Sequence, residues 1–332
     1  MSNMTQLFDA SRFPGNVKVR SAGKSAVMTL SGPENGSLRL FSLWDGAVLS
    51  FNRIYTHVWP LAQNVAANIL LLNFCQKGRC EVVLEDGQFA FLAQGHMAVG
   101  TQQAQEEYRY PSGLYEGIEL FLDLDLLAHR PYPLFQEGEV SLEGIVEHLH
   151  TSRRLYLGPT PACVQTLLDD LWRLRDSEEA GLMKLLSAQL LWKVERQPIE
   201  TSPMVRYFTS SQVAIARETR DILCADLSQN HTARELAERF QVAETSLKNY
   251  FRGVFGENLS TFLREARQNR NIPAEPCLFS SVLVYFLLLL LRGLPLFFHL
   301  LAVEHFHVLS RFQEFLHLLL CFPVVPVRHL FL

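Results

Sequence analysis

Between Glu244 and Arg252 the chain sets out six side chains that hydrogen-bond or carry charge: Glu244, Thr245, Ser246, Lys248, Asn249 and Arg252. At helical spacing they lie away from an apolar side made by Leu247, Tyr250 or Phe251, and Val254. Thr245, Ser246 and Asn249 are short hydrogen-bonding groups suited to base edges. Lys248, Arg252 and the nearby Arg234 are cations suited to phosphates. A generic three-helix bundle with a solvated polar face would show the same residue types, so the surrounding elements must decide between the two.

Those elements are legible. Thr232 with Glu235 three residues on forms a capping box, which starts a helix over Ala233–Phe240. That helix exposes Arg234, Glu235, Glu238 and Arg239 and buries Leu236, Ala237 and Phe240. A turn at Gln241-Val242-Ala243 leads to a helix over Glu244–Phe255, which Gly256 ends. A preceding helix, Val213–Leu227, turns Ile215, Ile222 and Leu223 inward, and another over Leu259–Gln268 comes after. The small Ala237 lets the last two helices of the motif cross closely, and Val242 and Leu247 close their core. This is the spacing of a helix-turn-helix. Charge gives little help: residues 213–270 hold nine Lys and Arg against eight acids. The whole chain has a formal net charge of −4, so any contact with nucleic acid must come from a local patch.

With 332 residues, 48% of them hydrophobic, the chain has room for two ordinary domains. Residues 1–35 read as a loosely ordered polar arm with one strand. Residues 36–125 read as β structure, with short apolar runs at Leu38–Leu43, Ala47–Ile54, Ile69–Phe74, Cys80–Leu84, Phe89–Leu92, Met97–Val99 and Tyr115–Leu122. Turn signals separate the runs, and Asp86-Gly87 marks a hairpin. The pattern implies an all-β sandwich or barrel. Periodicity then changes to helical over 141–153, 161–176 and 178–196. One stripe is Leu167, Leu168, Leu171 and Leu174; another is Leu182, Leu185, Leu186, Gln189, Leu190 and Val194. They pack on the β domain or pair with a second copy of the chain. Residues 197–212 read as a linker. The six cysteines have no CxxC spacing, and Cys75 and Cys80, five apart on one strand, are expected on opposite faces. Reduced thiols in a cytoplasmic protein are expected, and the N-terminus lacks the apolar run of a secretory signal.

The segments IARETRDIL and HTARELAERFQVAETSLKNYFRGVFGENLSTFLREAR, within Ile215–Arg270, resemble the first half of the DNA-binding region of AraC/XylS-family transcription regulators. Two details depart from the family: Gln241 stands where a turn glycine is usual, and Ala243 where Ser or Thr caps the recognition helix. The stretch LLNFCQKGRCEVVLEDGQFAFLAQGHMAV is similar to the family's cupin-like sensor domain. The resemblance implies an α+β multidomain chain. Its parts are an arm (1–35), a cupin-like β domain (36–140), a helical dimerisation or linker region (141–200) and an all-α helix-turn-helix unit (213–270). Cupin-like domains hold metals through clustered His and Glu. Here His57 and His96 are isolated, so no metal or other cofactor is expected. The interior is read as an organic-ligand pocket, with Trp44, Phe51, Tyr55, Trp59, Asn73 and Glu119 as candidate lining; each could equally be core or surface.

Family members carry a second helix-turn-helix, and 271–332 shows no sign of one. That tail holds three acids, three arginines and five histidines among long apolar runs. It reads as a membrane anchor over 280–303, as a His-rich metal site (His299, His305, His307), or as the product of a shifted reading frame. The shifted frame is preferred, because the composition breaks where the motif stops. The expected function is DNA-binding transcription regulation, activation among the roles, in response to a small effector and impaired by loss of the second reading unit. The expected partners are double-stranded DNA, the effector, a second copy of the chain and RNA polymerase, with a membrane not expected. No activated nucleophile or carboxylate–histidine set speaks for an enzyme. A membrane-tethered regulator and a cupin enzyme are the alternatives.

Overall fold

The computed structural model describes residues 16–30, 35–60, 68–84, 86–101, 107–130, 132–151, 155–198, 206–229 and 231–271. The chain divides into two compact units, Met1–Ala266 and Arg267–Leu332. The tail from 272 onward, with every reading made of it, lies outside the described residues, as does most of the expected arm.

The described fold is mixed α+β. Its large antiparallel sheet is built from β1 (Val17–Ala22), β2 (Ser25–Leu30), β3 (Asn35–Trp44), β4 (Ala47–Tyr55), β6 (Ile69–Val83), β7 (Phe89–Ala93), β8 (His96–Thr101), β10 (Tyr115–Asp123) and β11 (Tyr156–Pro159). The order is β1-β2-β3-β4-β10-β6-β8-β11, with β7 paired to β6. A separate two-stranded ribbon joins β5 (Val58–Pro60) to β9 (Glu107–Arg109). The hairpin expected at Asp86-Gly87 is present, with Val83 opposite Phe89 and Gly87 at φ 76°.

Three expectations need correction. The segment expected to hold one strand holds two paired ones, β1 and β2. The apolar runs at 69–74 and 80–84 are one long strand, β6. It carries on through Gly78 at φ 81°, where a Cβ would lie 2.0 Å from the Leu114 carbonyl oxygen. Cys75 and Cys80 do not fall on opposite faces. Opposite β10 the register slips between Glu116 and Gly117, leaving Gln76 as the extra residue of a β-bulge. That slip shifts the alternation by one, and both thiols are buried in the same apolar cluster.

One face of the sheet packs on helices. Phe41, Leu49, Phe51, Leu72, Phe74, Ile118 and Leu120 meet helices α1 (Leu124–His129), α2 (Pro133–Glu137), α3 (Leu142–His148), α4 (Ala162–Leu174) and α5 (Ala180–Arg196). The stripe expected on α4 faces inward, with Leu167, Leu168 and Leu171 buried. On α5 the inward stripe is rotated from the expected one. Met183, Ser187, Ala188, Leu190, Leu191 and Val194 are buried, whereas Leu182 and Leu185 (58% exposed) stand out with Trp192. The other face encloses a second cluster that includes Met28, Val48, Ile54, Trp59, Cys75, Cys80, Leu92, Tyr110 and Tyr115.

A third cluster lies among α6 (Ser210–Ala225), α7 (Ala233–Arg239) and α8 (Glu244–Phe255). Here α6 begins three residues earlier than expected, at a capping box of Thr209 and Gln212. It turns Val213, Ala216, Thr219 and Leu223 inward and leaves Ile215 and Ile222 half-buried. The Thr232–Glu235 capping box starts α7. The α8 N-cap, Ala243, makes no side-chain hydrogen bond. Ala243→Ser is expected to supply that bond and raise stability by about 1 kcal/mol. Denaturant unfolding of both proteins checks this; an unchanged midpoint would mean the α8 amides already find another partner.

Candidate nucleic-acid interface and interior polar cluster

The turn before α8 is built by three backbone bonds. Phe240 N–H donates to Leu236 O, Gln241 N–H to Glu238 O at 3.1 Å, and Val242 N–H to Ala237 O at 3.0 Å. Gln241 takes φ 53°, a left-handed conformation that suits glycine and explains why glycine is the better residue there. Leu236 and Ala237 are buried with Leu247, Phe251, Val254 and Phe255, so the apolar stripe of α8 is turned inward. Gly256 at φ 86° closes the helix by donating to Arg252 O.

The opposite side of α8 faces solvent. Glu244, Thr245, Lys248, Asn249 and Arg252 are exposed, and Ser246 is half-buried. Arg234 is exposed on α7. Of the seven residues expected to touch nucleic acid, six are thus exposed and Ser246 is half-buried. The surface carries ion pairs of its own: Lys248 Nζ lies 2.5 Å from Glu244 Oε1, and Arg234 Nε 2.9 Å from Glu238 Oε1. Arg252 makes no ion pair with another described residue. Exposed pairs of this kind are weak and are exchanged at little cost for a phosphate. The hydrogen bond and charge of Glu238 hold Arg234 above the ordinary arginine range. Two further arginines that sequence reasoning did not single out, Arg217 and Arg220 on α6, point elsewhere. Arg217 pairs with Glu81 of β6, and Arg220 with Asp221 and the His57 ring.

The six candidate ligand residues do not share one cavity wall. Trp44 and Phe51 belong to the helix-covered face, with Trp44 against Phe135 and Phe51 against Trp172. Tyr55 is 47% exposed and donates to Glu116. Trp59, Asn73 and Glu119 are on the other face or in the cluster against it. Alternation explains the split: Phe51 sits opposite Ile118, and Asn73 opposite Glu119.

Glu119 and Asn73 stand at the centre of a buried polar network. Asn73 Nδ2 donates to Glu119 Oε1 at 3.0 Å, Tyr115 OH to Asn73 Oδ1 at 2.5 Å, and Ser50 Oγ to Asn52 Oδ1. Gly117 leaves room for the Tyr115 hydroxyl, which a Cβ there would meet at 2.4 Å. Trp59 Nε1, also buried, has no hydrogen-bond partner among the described residues. Sequence reasoning missed Ser50, Asn52 and Tyr115; polar residues at alternate positions of an otherwise apolar strand are the signal that could have found the first two. Among the described residues no three of His, Cys, Asp or Glu stand close enough to hold a metal, and no helix is long and apolar enough to cross a membrane.

No family model matches the chain, and no curated protein matches it. Solved structures similar to it include the AraC-like transcriptional activator CuxR, with 13% identity over 81% of this chain and 88% of that one, at a TM-score of 0.35. ToxT from Vibrio cholerae has 10% identity over 68% of this chain and 82% of its own, at 0.30. A mutant of Bacillus subtilis oxalate decarboxylase OxdC matches 44% of this chain and 40% of its own, with 12% identity and a TM-score of 0.23.

Burial pushes the Glu119 carboxyl up to about 7, while the hydrogen bond from Asn52 pulls the other way. A carboxyl raised on folding keeps a proton that the unfolded chain loses. Its contribution to stability is full below about pH 4.5 and is lost as pH rises through about 7. Glu119→Gln, neutral throughout, is expected to flatten the stability–pH curve across that window by about 3 kcal/mol. Denaturant midpoints on either side of the window test this, and parallel curves for the two proteins would show that Glu119 stays ionised in the fold.

Proposed function

We propose that the chain is a sequence-specific DNA-binding transcription regulator responding to a small effector, with α6–α8 as a helix-turn-helix and α8 as its recognition helix. The observation that carries the reading is the open polar face of α8, held out by an apolar stripe on its other side. Thr245, Ser246 and Asn249 meet base edges, Glu244 accepts from a cytosine amino group, and Arg234, Lys248 and Arg252 meet phosphates. The motif resemblance to AraC/XylS regulators supports this assignment.

The β-rich half is the cupin-like sensor. Its effector engages the network around Asn73 and Glu119, and the outward Leu182, Leu185 and Trp192 of α5 meet a second copy of the chain. With a single reading unit between 213 and 270, each chain binds DNA more weakly than a two-headed relative, because a tethered second contact acts at high effective concentration.

Arg252→Ala is expected to weaken binding to any duplex and reduce the slope of log affinity against log salt by about one. Asn249→Ala is expected to change site preference, costing about 1–3 kcal/mol at the favoured site only. Fluorescence anisotropy over a salt series measures both. Unaltered affinity, slope and preference in the two variants would overturn the assignment.

A further inference from the structure

The hairpin of β6 and β7 does more than close the sheet. Its outer side supplies part of the third cluster: Phe91 packs edge-on against Phe208, and both are buried with Val213, Phe251 and Val254. Phe89 and Phe208 exchange two backbone hydrogen bonds, each 2.8 Å. Arg79 donates to the Gly253 carbonyl of α8 at 2.5 Å and lies over the Phe91 ring. Glu81, 5% exposed, pairs with Arg217 of α6.

Gly253 is the second clue. It lies in the last turn of α8, where glycine is still a poorer helix former than alanine, so a local reason is needed. The reason here is Phe208, whose Cζ would lie 2.0 Å from a Cβ at 253. The glycine makes room for Phe208, the residue ahead of α6 that pairs with Phe89 of the hairpin.

We propose that the β6–β7 hairpin is a latch, a contact that clamps α6–α8 to the β-rich half and opens as a unit while both sides stay folded. The balance of forces suits a reversible clasp. Two phenylalanines are withdrawn from water, which favours closure. Against this, the buried Glu81 carboxylate and Arg79 guanidinium are stripped of water, and Arg79 Nε is left without a partner among the described residues. Opening returns both charges to solvent. The latch also has a line to the interior. Along β6 and β7, Arg79, Glu81 and Phe91 face α6–α8, while Cys80 and Leu92 between them face the cluster that holds Tyr115. A ligand that displaces β6 from inside therefore bears on the latch from behind. This use as a switch rests on the proposed effector; the latch itself does not.

Hydrogen exchange on the full-length chain tests the latch by two independent routes. Gly253→Ala adds the obstructing methyl while improving helix propensity. Arg217→Met leaves the Glu81 carboxylate buried without its cation. Each is expected to raise exchange at the Phe89 and Phe208 amides by about tenfold or more, with the amides of β4, β10 and the centre of α8 unchanged. Unchanged exchange at Phe89 and Phe208 in both variants overturns the latch. So does a loss of protection that spreads through β4 and β10, since the contact would then be a permanent part of one cooperative fold. Binding of a random-sequence duplex by the unmodified chain is measured alongside. Its failure would sink the DNA-reading proposal and leave the exchange result standing.

Discussion

The alternation of side chains along β6 is the constraint on which the rest of the described structure depends. Leu70, Leu72 and Phe74 point to the helix-covered face; Ile69, Asn73 and Cys75 point to the enclosed one. At Gln76 the bulge resets the count, so that Cys80 rejoins the enclosed cluster and Arg79 and Glu81 turn outward to α8 and α6. Without that extra residue, strict alternation would point Arg79 into the apolar interior and Cys80 toward the helices. A one-residue slip in a strand exchanges its two faces. Here the slip is used once, at a fixed place, to let one strand serve three cores.

Two buried charge systems on neighbouring strands illustrate different ways of meeting the same cost. Among the described residues Glu119 has no cation beside it; burial raises its carboxyl, and Asn52 and Asn73 supply its hydrogen bonds. Burial also pushes Glu81 up, but the Arg217 guanidinium opposes that shift and the group is held as half of an ion pair. The first arrangement is self-contained, since every partner comes from β4, β6 or β10. The second spans two parts of the chain, so its energy depends on how they are placed.

Legibility in the sequence tracks the range of the interactions. The α7–α8 pair is readable because every determinant is local: a capping box at Thr232, an alanine at 237, apolar residues at 242, 247 and 251, and a glycine at 256. Strand positions are readable wherever turns separate apolar runs. What cannot be read depends on partners far along the chain. The bulge at Gln76 exists only opposite β10, some forty residues on, and it overturns the expected placement of Cys75 and Cys80. The candidate pocket residues mix both faces because aromatic size is no substitute for strand parity. Trp44 and Phe51 are large, but their positions on β3 and β4 send them to the helices. The inward stripe of α5 differs from expectation because Leu182 and Leu185 look like core until the neighbouring helices are known.

The third cluster adds a physical point about the α6–α8 unit. A three-helix bundle of this size buries little apolar surface, and small domains are marginal for that reason. Here the deficit is met by Leu259 and Phe262 after α8, Phe208 ahead of α6 and Phe91 from β7. Borrowing core residues from a neighbour makes the stability of the unit conditional on the neighbour's position. The polar face of α8 makes no part of that contact, which lies at Gly253 and on the buried side of the helix. The surface thus has two determinants: its shape, set by the packing of α7 on α8, and its attachment, set where Arg79 and the Phe89–Phe208 pair meet the helices.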